Sequence, residues 1–168
     1  MESNVAGFRG EERPGPNLLV IAAITAALLA ISAVGGLATD TDSDWYRSLD
    51  RPDWQPPSWV FGPVWTAIYI LLGVSAYLTW RGLDGSRRRA AMALYALNGL
   101  LNVGWTLIFF QLEAATLAGV EIVALLVTIL LLIGMTRRDV PLAAAALVPY
   151  ALWVGFATVL TWTIALSN

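Results

Sequence analysis

Trp65 and Tyr69 stand four residues apart in an uncharged run, so a helix there puts an indole and a phenol on one face. Asn98, Asn102 and Trp105 follow at spacings of four and three, which adds two amides and another indole to a second face. Tyr150, Trp153, Phe156 and Ala157 make a third. Together such faces can line an apolar cavity with flat aromatic walls and a few hydrogen-bonding groups, a site for a planar, mostly hydrophobic ligand. Acid–base and metal chemistry have little to work with. The chain has no histidine and no cysteine, which removes imidazole bases, thiolates and the usual zinc and haem-iron ligands. Met92 and Met135 lie in apolar runs with no partner motif. No conventional catalytic residue, metal site or required cofactor is therefore expected.

Each of these residues has a plainer reading. Tryptophan and tyrosine collect at both membrane interfaces, and Trp45, Trp54, Trp80 and Trp162 sit near the ends of apolar runs, where such belts form. Asparagine on a membrane helix often serves as interhelical glue, and two amides on one face should turn inward because an unpaired amide in lipid is costly. Glu121 is a carboxylate inside an apolar run. It is a functional candidate or a structural acid that holds helices together, and Arg137 and Arg138 are too far along the same helix to pair with it.

The elements that must position these groups follow from the charges. Hydrophobic residues make up 58% of the 168-residue chain and charged ones 13%. Soluble domains carry about 25% charged residues, so this chain cannot cover a water-facing surface. Five stretches, each long enough to span a bilayer with about 20 apolar residues, are expected at roughly 17–38, 57–80, 89–110, 114–135 and 141–166, after an N-terminal tail 1–16. In lipid, backbone groups must bond internally, so the expectation is an all-α membrane protein, a five-transmembrane-helix bundle. The first stretch is long and its flank (Glu11, Glu12, Arg13) is mixed rather than basic, so it reads as a retained helix rather than a cleaved signal. Ser58 is the natural cap for the second span, and Pro63 and Pro149 are candidate kink sites.

The connections are short except 39–56, which holds Asp40, Asp42, Asp44, Asp50 and Asp53 with Arg47 and Arg51. The N-terminus, an 81–89 loop and a 137–139 loop share one side and carry eight arginines, against two opposite. The positive-inside rule then puts the N-terminus in the cytoplasm and the acidic loop outside; a bacterial inner membrane is the expected location. The lipid bilayer is a partner, and nucleic acid is not expected to be one.

The run Trp45-Tyr46, Leu49, Arg51-Pro52, Trp54, Pro56-Pro57, Trp59, Gly62-Pro63-Val64-Trp65 and Tyr69 carries a family resemblance. So do Leu101-Asn102, Trp105 and Ile108-Phe109-Phe110, and Pro149-Tyr150, Trp153 and Phe156-Ala157-Thr158-Val159-Leu160. In these three motifs, in this order, the chain resembles the TspO/MBR family of tryptophan-rich sensory and translocator proteins. The resemblance covers about residues 17–166. It implies a five-helix bundle with a pocket under the first long loop. It further implies binding of porphyrins such as protoporphyrin IX and of benzodiazepine-type synthetic ligands, and a homodimer. Carried over by position, the ligand-binding residues are Trp54, Gly62, Trp65, Tyr69, Asn102, Trp105, Trp153 and Ala157. The family is also linked to light-dependent porphyrin degradation, for which Trp65 and Trp153 are the photochemical candidates here. Sensor, transporter, degrading enzyme and assembly partner are the competing roles, with the sensor or receptor foremost. Arg51 stands where lysine is common, Gln111 where glycine is usual and Thr161 where many members have asparagine. No match to the cholesterol-recognition pattern of animal members is present, so the resemblance implies no sterol binding.

Overall fold

A bilayer offers no partner to a free N–H or C=O, so each apolar run closes its own hydrogen bonds as helix. The computed structural model describes residues 17–168; the tail 1–16, with Arg9 and Arg13, lies outside the described residues. Six helices follow in order: α1 (Leu18–Ala38), α2 (Asp44–Ser48), α3 (Ser58–Gly82), α4 (Gly85–Thr106), α5 (Ala115–Thr136) and α6 (Pro141–Ser167). All except α2 are long and apolar enough to cross a membrane. The protein is a multi-pass integral membrane protein of all-α class.

Local chemistry sets most boundaries. The Asn17 side chain accepts from the Val20 N–H (3.2 Å) and starts α1. Ser43 does the same for α2 through the Tyr46 N–H (3.2 Å), with Asp44 in its first turn and Arg47 in its last, both signs matching the helix dipole. Ser58 does not cap α3. Pro57 occupies the cap position, its carbonyl accepts from the Val60 N–H (2.9 Å), and Ser58 lies inside the first turn. The helices α3 and α6 run continuously through Pro63 and Pro149.

The stretch 81–89 is not a loop. The connection is only Leu83 and Asp84, because Gly85 turns the chain at φ +55°, where a side chain would be strained. Arg87, Arg88 and Arg89 thus ride on the first turns of α4. Arg88 bonds Asp84 (2.5 Å) and the Leu83 carbonyl (2.6 Å), which ties the turn to its own helix. At its other end α4 widens into a π-turn, Leu107–Gln111, before Glu113 reverses the chain at φ +54°. Such turns insert a residue into the helix and rotate everything after it.

The core lies where α3, α5 and α6 meet: Ile68 and Leu72 against Ile122, Leu125, Ile129 and Leu132, and against Leu147, Tyr150 and Val154. Lipid tails are as apolar as leucine, so close packing rather than water exclusion must hold these helices. Gly119 shows how close: a Cβ there would sit 3.0 Å from the Trp162 indole. Trp162 therefore packs on α5 and is not a free interfacial tryptophan. Trp80 stacks on Tyr77 (6.5 Å) beneath the Arg88 guanidinium, at the arginine-rich end.

Arg87 links the start of α4 to the α5–α6 connection through a two-pronged bond to Asp139 (2.7 and 3.2 Å) and a contact to the Met135 carbonyl (3.3 Å). The Arg87 hydrogen bonds hold the Asp139 carboxyl below the usual carboxylate range. A depressed carboxyl contributes stability above its unfolded pKa and loses it as pH falls through the lower folded value. Thermal midpoints in detergent should therefore favour wild type over Asp139→Asn at neutral pH and merge in acid. A constant gap down to acid pH would rule the ion pair out. The pair is exposed, so the gap should be small.

Candidate functional site

A second cluster caps the bundle. Tyr46 and Leu49 from the α2 segment pack on Phe109, Ala118, Leu160 and Ile164. Asn168 clasps this lid: its side chain accepts from the Asp50 N–H (2.9 Å) and donates to the Asp50 carbonyl (3.2 Å). Gln111 donates to the Ala38 carbonyl (2.8 Å) and pins the lid end of α1. Beneath the lid is a cavity of about 470 Å³, within the size range of small-molecule sites.

Its walls are built from all five long helices. Phe61, Gly62, Trp65, Thr66 and Tyr69 come from α3, and Asn102, Trp105 and Thr106 from α4. The π-turn adds Phe109 and Phe110, α5 adds Ile122 and Leu125, and α6 adds Trp153, Val154, Ala157 and Leu160. Hence Gly62, Trp65, Tyr69, Asn102, Trp105, Trp153 and Ala157, three separate faces in sequence, line one space. Trp65 lies 5.5 Å from Tyr69 at 30°, Phe61 meets Trp153 edge-on at 5.5 Å, and Trp105 stacks on Phe109 at 5.2 Å. No charged side chain among the described residues lines the cavity.

Trp54 does not join them. The Pro52–Gln55 turn, closed by the Gln55 N–H to the Pro52 carbonyl (2.9 Å), gives the cavity Gln55. Trp54 is left 48% exposed, edge-on to Phe156 at 5.8 Å. Gln55 was not evident from sequence, since a proline-rich loop has no periodicity to read. Its Nε2 donates to the Tyr46 hydroxyl (3.0 Å) and the Arg51 guanidinium lies 4.7 Å over the Tyr46 ring. Phe109 was legible in principle, four residues beyond Trp105, but the π-turn alters the phase just there.

The amides divide their work. Tyr69 donates to Asn102 Oδ1 (2.8 Å), and Asn102 Nδ2 donates to the Tyr150 hydroxyl (3.2 Å). Tyr150 donates to Asn98 Oδ1 (3.2 Å), Asn98 Nδ2 to Thr128 Oγ1 (2.8 Å), and Thr128 to the Leu125 carbonyl (2.7 Å). Every donor in this relay points the same way, from the cavity wall toward α5. Asn98 is thus interhelical glue, wholly buried, whereas Asn102 both lines the cavity and links α3 to α6. Because Tyr69 spends its proton on Asn102, its hydroxyl can offer the cavity only an acceptor.

Among the described residues, three further polar atoms on the lining side chains are buried without hydrogen-bond partners: Trp105 Nε1, Trp153 Nε1 and Gln55 Oε1. Buried groups of this kind are normally satisfied, so the residues lining the cavity carry two donors and one acceptor beyond those used in the relay. Glu121 is separate. Its neighbour Ile122 faces the cavity, and one residue is about 100° of helix. Glu121 instead lies beside Gly104, and among the described residues its two buried carboxylate oxygens have no hydrogen-bond partner.

The profile of the TspO/MBR family matches residues 22–166. The "Tryptophan-rich protein TspO" of Chlorobaculum tepidum is 34% identical over 154 residues, 90% of this chain and 97% of that one. The "Translocator protein" of Homo sapiens is 35% identical over 133 residues, 74% of this chain and 75% of that one. A Bacillus subtilis relative called "Uncharacterized membrane protein YtaB" is 27% identical over 139 residues, 83% and 90% of the two chains.

Proposed function

Because the chain belongs to the TspO/MBR family, we propose that it is a membrane sensor or receptor that binds porphyrins of the protoporphyrin IX kind beneath its lid. The observation that carries this reading is the convergence of Trp65, Tyr69, Trp105 and Trp153 on one uncharged cavity. Flat rings give a macrocycle stacking surfaces, and the unpartnered indole N–H groups and amide oxygen give it polar contacts. Benzodiazepine-type synthetic ligands, also aromatic and largely apolar, fit the same chemistry. The protein acts as a homodimer in a bacterial inner membrane, N-terminus in the cytoplasm, on this reading. A second reading, light-dependent porphyrin degradation, is favoured by the two indoles Trp65 and Trp153 in the cavity wall, where an excited pigment meets oxidisable rings. A transporter is the third.

Protoporphyrin IX should quench tryptophan fluorescence of the detergent-purified protein saturably. Trp65→Phe and Trp153→Phe should each weaken binding about three- to tenfold, the worth of one aromatic contact. Trp59→Phe should not, since Trp59 is 75% exposed. Non-saturating quenching, equal in all variants, would mean that the pigment dissolves in micelles and would overturn the reading. Slow loss of porphyrin under light through many turnovers would favour the enzyme.

A further inference from the structure

We infer that the ligand reaches the cavity sideways from the bilayer, between α1 and α3, and not through the lid. This rests on the reading above that the cavity takes a mostly apolar ligand. A groove of about 500 Å³ runs along the outer faces of α1 and α3, walled by apolar side chains such as Leu28, Ile70 and Val74. Ser32, Thr66 and Tyr69 line both this groove and the cavity. These shared residues, Ser32 on α1 and Thr66 and Tyr69 on α3, form the boundary between the two spaces, a waist. The occupant that continuity assigns to the groove is the cavity's own ligand in transit.

The two routes are held shut by different forces. The lid is closed by the Asn168 clasp and by burial of Tyr46 and Leu49. The helices α3, α4, α5 and α6 are bonded to one another by the relay from Tyr69 to Thr128 and by Ser75, which meets the Tyr95 hydroxyl (2.6 Å) and donates to the Ala143 carbonyl (2.8 Å). In α1 only Ala38 is buried, and Gln111 holds only that end. Among the described residues no side-chain hydrogen bond or ion pair joins α1 to α3. Leu28 rests on bare backbone at Gly73, where a Cβ would come 2.9 Å from its Cδ1. Among the described residues the contacts that hold α1 against α3 along the groove are apolar, and lipid or an apolar ligand replaces such contacts in kind. The hydroxyls of the waist can hand a passing polar group to the cavity.

The chain has no cysteine, so a Leu28→Cys/Gly73→Cys pair gives a single disulfide across the groove, and neither residue lines the cavity. In vesicles carrying protoporphyrin IX, oxidation should slow association and dissociation alike by about tenfold or more, with Kd nearly unchanged, and reductant should restore both. An Asp50→Cys/Asn168→Cys disulfide across the lid should leave the rates as they are. Slowing by the lid bridge alone, by both bridges equally, or by neither overturns the inference. Should the groove disulfide not form, Thr25→Phe/Ile70→Phe fills the groove instead, and unchanged rates there count against the inference in the same way. Absence of saturable quenching in wild type would sink the porphyrin reading itself, whereas unchanged rates with intact binding sink only the route.

Discussion

Asn98→Leu is expected to destabilise the protein by about 2–3 kcal/mol, the largest stability effect of any single polar change in the bundle. Asn98 is fully buried and makes two interhelical bonds, to Thr128 and Tyr150. Such bonds in membranes average about 0.6 kcal/mol and reach about 1.7. The larger part comes from what is left behind. Tyr150 is 1% exposed, and without Asn98 its hydroxyl loses its acceptor, at about 1–3 kcal/mol. The check is graded unfolding by SDS in mixed micelles, in wild type and in a Tyr150→Phe background. Removing the hydroxyl first removes the orphan, so Asn98→Leu should cost about 1 kcal/mol less there. Equal costs in both backgrounds would mean that the relay does not couple the two residues.

Gly62→Leu should weaken porphyrin binding by up to about 150-fold while leaving the fold intact. Gly62 lines the cavity on α3, and a Cβ built there meets nothing within 4 Å. A longer side chain grows into the space the ligand needs. Overpacking a fitted site costs about 1–3 kcal/mol, or roughly five- to 150-fold in affinity, and a rigid macrocycle belongs at the upper end. Gly62→Ala separates the two effects. It replaces a helical glycine near the start of α3, which should be neutral or stabilising by up to about 0.5–1 kcal/mol, and takes little room from the ligand. Quenching titrations and SDS unfolding on both variants decide it. Porphyrin affinity unmoved in Gly62→Leu would place the pigment elsewhere, whatever the cavity's shape.

The contrast between these two residues shows how legibility varies along the chain. Asn98 and Asn102 share a face by spacing alone, and sequence reasoning rightly turned both inward because lipid has no partner for an amide. It could not say that one would be sealed against Thr128 while the other, one turn further, would border a cavity. That depends on where α6 brings Tyr150. Trp54 and Gln55 are the reverse case: adjacent in a loop without period, they are sorted by one turn bond at Pro52. The arginines near residue 87 read as a loop because charge ends an apolar run, but charge does not end a helix, and Gly85 let α4 begin beneath them. Trp162 looked interfacial from its place near a span end, and only the missing side chain at Gly119 reveals its seat on α5.

The sequence by itself determined that five apolar helices cross a membrane, since too few charges and long uncharged runs admit no other hydrogen-bonded form in lipid. It also determined which residues share a face within each helix, because 3.6 residues per turn is a property of the single helix. The tertiary structure alone decided that three of those faces converge on one cavity, that Glu121 is not among its lining residues, and that among the described residues no side-chain hydrogen bond ties α1 to α3. Those outcomes depend on how each helix is rotated about its own axis and set against its neighbours. That rotation is fixed by close packing between residues distant in the chain, which no local periodicity encodes.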